Sequence, residues 1–202
     1  MKHSTMVLLS LFQTVADSSA LTVVTFIATL IIDGVMFLEK LPAVEKFVDE
    51  STLPSAAFGP IPDVWFGIAN PDDLLSNFFD GLGEEGRDAY RSLSSWDYFP
   101  YMESYVILLG SLLVRSARKT GMREEVAYAA PAIMFFDVVE NYVLGRACDL
   151  SPNSLDSTSL LIGSLANQTK WLLFLSCVLF SAGTLVPDMV RSSGSTGKSK
   201  KK

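Results

Sequence analysis

The stretch Ala130–Gly145 reads Ala-Pro-Ala-Ile-Met-Phe-Phe-Asp-Val-Val-Glu-Asn-Tyr-Val-Leu-Gly. It is apolar enough to lie in lipid, yet it carries Asp137, Glu140 and Asn141. On a helix these positions are i, i+3 and i+4, so their side chains share one face. Charged groups inside a membrane are costly, and they normally face other helices or a wet cavity. The stretch therefore predicts a membrane-spanning helix whose acidic face is turned toward the rest of a bundle.

The composition agrees with a membrane protein that also has sizeable polar loops. The chain has 202 residues, of which 49% are hydrophobic, and its mean hydropathy is +0.32. A formal charge of −6 and a pI of about 4.8 disfavour a nucleic-acid partner. The single histidine, His3, argues against histidine-built haem and metal sites, and we expect neither a metal nor another cofactor.

Four apolar segments predict an all-α, multi-pass membrane protein, with four transmembrane helices in an up-down bundle. The predicted spans cover residues 20–38, 96–114, 126–145 and 160–187. Between the first two lies a proline-rich and acidic segment, residues 39–95, which we expect to be helical and extracytosolic. Residues 146–159 are predicted to form a second extracytosolic loop. Residues 1–19 are interpreted as a cytosolic leader, with a signal peptide as the alternative.

Two regions rich in lysine and arginine orient the spans. The link at 115–125 and the tail at 188–202 are both basic, so the positive-inside rule places them in the cytosol. Both termini are then cytosolic, the tail is expected to be disordered, and segment 39–95 lies on the other side.

This orientation brings the polar residues of the predicted spans to one side of the bilayer midplane. We predict a polar cluster in the outer half of the bundle, joined at its mouth by two arginines: Asp33, Asp97, Glu103, Asp137, Glu140, Asn141, Lys170, Arg87 and Arg91. Lys170 is expected to pair with Asp137 or Glu140, because pairing lowers the cost of a charge in lipid. One lysine cannot neutralise all of these acids. The remainder must be protonated, solvated, paired at the mouth, or matched by a cation or ligand. For Asp33, a position at the membrane interface is an equally good interpretation.

Local signals place two helices in the outer segment. Asn70-Pro71-Asp72-Asp73 combines a cap, a proline at the first helical position and acids in the first turn. We expect that helix to end at Gly81, and a second helix to run from Glu84 to Trp96. Phe58, Trp65 and Phe66 are predicted to lie on the membrane surface, to cover the bundle mouth or to form a small local core. Asn167 begins an Asn-Gln-Thr sequon that should lie too close to the bilayer to be modified.

Several motifs together resemble a family of small, uncharacterised four-helix membrane proteins, many of them bacterial. They are Gly83–Tyr90, Asp97 with Phe99-Pro100, Asp137 with Glu140-Asn141, and Thr169-Lys170-Trp171. The resemblance covers roughly the last two-thirds of the chain, and it implies the fold and the polar cluster. That family has no established activity, so the resemblance implies no function.

Three classes of function remain open. The first is a structural or accessory membrane component, in which the polar cluster holds helices together. The second is a binder of a lipid, sterol or other small molecule, or an enzyme that uses an intramembrane carboxylate as a general acid. The third is proton- or cation-coupled transport. The expected partners are the lipid bilayer, a bound lipid and another membrane protein. The residues do not decide whether the protein is an enzyme.

The last five residues, Lys198-Ser-Lys200-Lys201-Lys202, fit the Lys-x-Lys-x-x form of a cytosolic dilysine retrieval signal. In a eukaryote this motif predicts residence in the endoplasmic reticulum. A basic tail attracted to anionic lipid is the competing interpretation.

Overall fold

The computed structural model describes residues 2–49, 62, 71–151, 153 and 155–195, and those residues form helices, turns and loops without a β-strand. The all-α prediction is confirmed for this part of the chain. The α-helices are α1 (Lys2–Asp17), α2 (Ser19–Val35), α3 (Leu41–Glu45), α4 (Pro71–Gly81), α5 (Gly83–Trp96), α6 (Met102–Thr120), α7 (Ala129–Leu150) and α8 (Ser157–Ser195). A π-helical stretch at Met36–Lys40 joins α2 to α3, and a 3₁₀ turn at Glu124–Tyr128 leads into α7.

Helix α6 is the centre of the molecule, because α1, α2, α7 and α8 all pack on it. The Thr29 hydroxyl of α2 donates to the Ser104 carbonyl of α6 at 3.3 Å, whereas Asp17, just before α2, pairs with Arg118. Helices α2 and α6 are therefore antiparallel. Helices α7 and α8 approach each other closely at Gly163, where an added Cβ would lie 2.8 Å from Val143. Near its far end α8 returns to α6, where Thr184 donates to the Ser116 hydroxyl at 2.8 Å. The helices therefore alternate in direction, as in an up-down bundle.

Helix α1 is part of the bundle, so the interpretation of residues 1–19 as a leader outside it is incomplete. Phe12 is fully buried, and its ring fills the space beside Gly110 of α6. Nearer the turn, Arg115 donates from Nε to the Ala16 carbonyl at 2.9 Å. Because Phe12 and Ala16 follow α6 in the same order as Gly110 and Arg115, α1 runs parallel to α6. It thus extends from the basic link along the bundle, by about 24 Å for 16 residues.

The basic link ties α1 to the start of α7. Arg118 pairs with Asp17 at 2.5 Å and with Glu124 at 2.8 Å, and Gln13 donates to Glu124 at 2.9 Å. The hydrogen bonds from Arg118 and then Gln13 hold the pKa of Glu124 below its ordinary value of 4.5. The Glu124 contacts therefore join three segments at one end of the bundle.

The lowered pKa of Glu124 predicts a small loss of stability in acid. A carboxyl whose pKa falls on folding stabilises the protein above its unfolded pKa, and this contribution disappears as the pH falls through the folded pKa. Because the group is partly exposed, we expect at most about 1 kcal/mol. Unfolding followed between pH 6 and pH 3 should show a smaller acid-dependent loss in Glu124→Gln than in wild type. Equal slopes for the two proteins would contradict the assignment.

Helices α3, α4 and α5 pack over the opposite end of the bundle. Helix α4 begins at Pro71 and ends at Gly81, as its capping pattern predicts, and α5 begins one residue before its expected start. Their shared core includes Phe79 and Tyr90, whose rings meet edge to face with centroids 4.9 Å apart. Leu144 and Leu160, from the ends of α7 and α8, belong to the same apolar cluster. This cap, α3–α5, therefore closes the end of the bundle away from the basic link.

Two stretches of helix are long and apolar enough to cross a membrane, Ser19–Glu45 and Ser157–Pro187. They correspond to the first and fourth predicted spans. The second and third predicted spans form α6 and α7, but charges interrupt both helices. Glu103, Arg115 and Arg118 lie in α6, whereas Asp137, Glu140, Arg146 and Asp149 lie in α7. The composition of α6 and α7 alone therefore does not establish four membrane crossings.

Some predictions concern residues outside the described ranges. They are those for Phe58, Trp65, Phe66 and residues 196–202, which include the terminal lysines. The prediction that the tail is disordered from residue 188 is wrong for its first part, because α8 continues to Ser195.

Candidate functional site

A layer of buried polar side chains crosses the bundle between two apolar clusters. We name it the buried polar layer; it comprises Asp97, Asp137, Glu140, Asn141, Asn167 and Lys170, each at most 9% exposed. On one side lies the core beneath the cap, which includes Leu144 and Leu160. On the other side lies the core that includes Phe12, Leu113 and Ile133. The layer is therefore shielded from water in both directions along the bundle.

Lys170 is at the centre of the layer, between two carboxylates of α7. Its Nζ lies 2.9 Å from Asp137 Oδ1 and 2.5 Å from Glu140 Oε2. Asp137 and Glu140 are three residues apart on a helix, so both carboxylates face α8. The predicted pairing of Lys170 is therefore found, with both candidate partners instead of one.

Two further donors complete the surroundings of these carboxylates. Tyr105 of α6 donates from its hydroxyl to Asp137 Oδ2 at 2.8 Å, and Asn167 of α8 donates to Glu140 Oε1 at 2.6 Å. Each carboxylate thus contacts Lys170 through one oxygen and a neutral donor through the other. The resulting network joins α6, α7 and α8 at one level of the bundle.

A second contact in the layer joins Asn141 to Asp97. The Asn141 amide donates to Asp97 Oδ2, which links α7 to the turn before α6. In that turn Phe99 leaves helical geometry and Phe99-Pro100 is a cis peptide. Asn141 and Asp137 are four residues apart on α7, so one helix supplies both polar contacts.

Aromatic rings cover the Lys170 side of the network. The Lys170 ammonium lies 5.6 Å from the centre of the Trp171 ring, within the range of a cation–π interaction. Phe174 packs edge to face on Trp171 at 5.9 Å and on Tyr105 at 6.4 Å. These rings keep water away from the ion pairs, and a low local dielectric strengthens them.

Four residues predicted for the cluster lie elsewhere. Arg87 donates to the Phe79 carbonyl at 3.1 Å inside the cap, and Arg91 pairs with Asp149 and Asp88 at its surface. Pairing at the mouth is one of several alternatives for the excess acids, and these two arginines contact the cap, Asp88 and Asp149 instead. Asp33 is half-buried near Tyr101, and Glu103 is exposed on α6. The carboxylates of Asp33 and Glu103 form no ion pair or hydrogen bond with a described residue.

The structure also adds two residues to the predicted site. The sequence analysis treats Asn167 only as part of a sequon and does not include it in the cluster. Asn167 nevertheless lies three residues before Lys170, so the two side chains share one face of α8. That spacing matches the spacing of Asp137 and Glu140 on α7, and it is the signal in the sequence that points to Asn167. Tyr105 could be expected among the surrounding aromatics, but nothing in its sequence context indicates that it contacts Asp137.

The charges of the layer do not balance. It holds three carboxylates, Asp97, Asp137 and Glu140, against the single ammonium of Lys170. An unpaired buried charge is costly, so bound protons, a bound cation or a ligand remain the alternatives for the excess negative charge. The described residues contain no group of three or more His, Cys, Asp or Glu arranged to hold a metal ion.

No protein-family model, no curated protein and no solved structure matches this chain. The resemblance to a four-helix membrane family thus remains a prediction from its motifs. Any function proposed for the chain therefore rests on its own surface and on the contacts of the buried polar layer.

Proposed function

We propose that the chain is an integral, multi-pass membrane protein. The support is the apolar surface of its two longest apolar helices. On α2, large apolar side chains are 44–64% exposed: Leu21, Val23, Val24, Phe26, Ile27, Leu30 and Ile31. On α8, large apolar side chains are 49–71% exposed: Leu161, Ile162, Leu165, Leu172, Leu175, Leu179 and Val186. Soluble monomers rarely expose contiguous apolar surfaces of this extent, because water disfavours them.

A soluble core helix and a signal sequence can be equally apolar, but both fit α2 and α8 less well. The core helix of a soluble protein is apolar because it is buried, whereas only 11% and 17% of the apolar windows of these two helices are buried. A signal sequence accounts only for the helix near the N-terminus. Helix α8 lies at the other end of the chain, and it packs along α7 and α6. A bilayer around both helices accounts for both exposed surfaces.

Helices α6 and α7 are the other two of the proposed four spans, and α1 packs beside α6 as a fifth helix of the bundle. Part of the polarity of α6 and α7 faces inward, because Asp137, Glu140 and Asn141 of α7 are at most 4% exposed, whereas Glu103, near the start of α6, is exposed. Polar groups in spans are expected to face the bundle in this way. The basic link between α6 and α7 is then cytosolic, and the cap is extracytosolic. If the source is eukaryotic, the terminal dilysine pattern adds the endoplasmic reticulum as the proposed address.

Cysteine labelling tests this topology. Cysteines at Asp88 in the cap and at Arg123 in the basic link, placed in a background without Cys148 and Cys177, should react from opposite sides of sealed vesicles. Both side chains are well exposed, at 70% and 86%, so burial will not mask labelling. Detergent-opened vesicles provide the control, because both sites should then react. Labelling of both cysteines by an impermeant reagent in sealed, uniformly oriented vesicles would rule out the proposed topology.

For the role of the protein, we propose a structural or accessory membrane component whose buried polar layer fixes the packing of α6, α7 and α8. The contact that carries this proposal is Lys170 held between Asp137 and Glu140, since it joins two spans by charges that neither could expose to lipid alone. Interhelical hydrogen bonds in membranes are individually modest, averaging about 0.6 kcal/mol. A network of them nevertheless specifies which helix faces meet.

The imbalance of charge favours a second candidate, a binder or enzyme that uses an intramembrane carboxylate. A carboxyl that carries a proton in an apolar site can act as a general acid, and it can also donate a hydrogen bond to a lipid, sterol or other small molecule. Proton- or cation-coupled transport is the third candidate, and it would rest on the same excess of carboxylates over ammonium groups in the buried polar layer. A thermal-shift screen of the purified chain against lipids, sterols and monovalent cations separates these classes. A structural component should respond to no class selectively, whereas a selective response that Glu140→Gln abolishes would favour the second or third candidate.

A further inference from the structure

A cavity of about 230 Å³ opens between α7 and α8, at the end of the bundle where the cap sits. Its lining includes Tyr142, Val143 and Arg146 from α7, and Leu155, Asp156 and Ser159 from the segment that begins α8. A buried water needs only about 15 Å³ of such space, so the cavity has room for a polar group of several atoms. It is separate from the buried polar layer, whose side chains do not line it.

The cavity contains one cationic and one anionic side chain. Arg146 is exposed and makes no hydrogen bond or ion pair with any described residue, so its guanidinium donors are available. Asp156 accepts hydrogen bonds from the Ser159 backbone N–H at 3.0 Å and from its hydroxyl at 2.6 Å. These bonds lower the pKa of Asp156, so it is ionised at neutral pH. A carboxylate has about four acceptor positions, so Asp156 can accept a further donor.

Apolar side chains lead along the surface to this cavity. Phe135, Val138 and Tyr142 stand at i, i+3 and i+7 on α7, and they are 61%, 39% and 65% exposed. Arg146 follows Tyr142 by four residues, so it continues the same stripe. On α8, Ile162 follows Ser159 by three residues and is 49% exposed. An apolar stripe that ends in an aromatic hydroxyl and a cation is typical of the boundary between acyl chains and headgroups.

We propose that this cavity binds the headgroup of a zwitterionic phospholipid with a primary amine, the phosphoethanolamine group. Arg146 binds the phosphate, because a guanidinium donates two parallel hydrogen bonds to phosphate oxygens. The amine of the headgroup donates to Asp156, and one acyl chain lies along Phe135 and Val138. An anionic headgroup without the amine would leave Asp156 facing a negative charge. A choline headgroup carries no N–H to donate. The assignment rests on the proposed membrane placement of α7 and α8.

The test uses the full-length chain purified in a mild detergent, titrated with phosphatidylethanolamine, phosphatidylcholine or phosphatidylglycerol and followed by native mass spectrometry. Phosphatidylethanolamine should bind most tightly. Arg146→Gln should weaken that binding about tenfold, as expected for the loss of a charge-assisted hydrogen bond. Asp156→Asn keeps a residue able to cap α8 while removing the charge, so it should weaken phosphatidylethanolamine binding and leave phosphatidylglycerol binding equal or stronger.

Arg123→Gln is the matched control, because it removes an exposed arginine at the opposite end of the bundle. It should leave the order and strength of lipid binding unchanged. The proposal is overturned if Arg146→Gln has no larger effect than Arg123→Gln. It is also overturned if phosphatidylglycerol binds best and Asp156→Asn changes nothing, since that pattern describes a purely basic surface. The lipid titration is done in detergent, so its result is independent of the topology labelling. Either experiment can therefore contradict its own proposal while the other supports its proposal.

Discussion

Lys170→Met is expected to lower the free energy of unfolding by about 3–5 kcal/mol, because it leaves buried carboxylates without their ammonium partner. The triple variant Lys170→Met/Asp137→Asn/Glu140→Gln should lose less, although it removes more of the network. Its amides are neutral, and they can keep the bonds with Tyr105 and Asn167. Reversible unfolding in mixed micelles, followed by circular dichroism, gives the comparison.

Arg123→Gln is the control for loss of a positive charge, and it should change stability very little because its ion pair is exposed. Equal losses for Lys170→Met and the triple variant would mean that the charges do not stabilise one another.

Phe12→Ala is expected to cost about 3 kcal/mol or more, which is the range for emptying a buried phenylalanine site. Phe12 is fully buried, and its ring lies where Gly110 of α6 leaves room for it. Thermal unfolding of the purified protein in the same micelles measures the loss. A leader that lies outside the bundle would show almost no effect, so the variant tests whether α1 is an integral helix of the fold.

Leu11→Ala is the matched control, since Leu11 adjoins Phe12 on the same helix but is 41% exposed. It should cost far less than Phe12→Ala. The contact can be tested further through Gly110→Ala, whose new Cβ would lie 2.7 Å from the Phe12 ring. That change should be harmful in wild type and much better tolerated in the Phe12→Ala background. Additive losses would show that the two residues are not packed on each other.

The acidic face of α7 can be predicted because helical spacing fixes which side chains lie together. That spacing puts Asp137, Glu140 and Asn141 on one face, and the lone lysine among the spans is their natural partner. Similarly, the start of α4 follows from local capping chemistry at Pro71. Features decided within a few residues of chain are accessible to such reasoning.

Features decided by distant contacts are not accessible in the same way. Helix α1 resembles a leader because its short apolar run follows Lys2 and His3, and nothing local shows that Gly110 makes room for Phe12. Position along the chain suggests that Arg87 and Arg91 lie at the mouth of the polar cluster. Their partners, the Phe79 carbonyl and Asp149, depend on how the cap folds back over the bundle.

The order in which the chain is synthesised gives the Lys170 contact a consequence for biogenesis. Helix α7 emerges from the ribosome before α8, with two carboxylates that each oppose partition into lipid by roughly 2.5–3.5 kcal/mol. Their ammonium partner is made only later, 33 residues beyond Asp137. If α7 and α8 are spans as proposed, α7 should wait at the translocon until α8 arrives, and the two should enter the bilayer together as a hairpin. A chain truncated before Lys170 is expected to leave α7 poorly inserted.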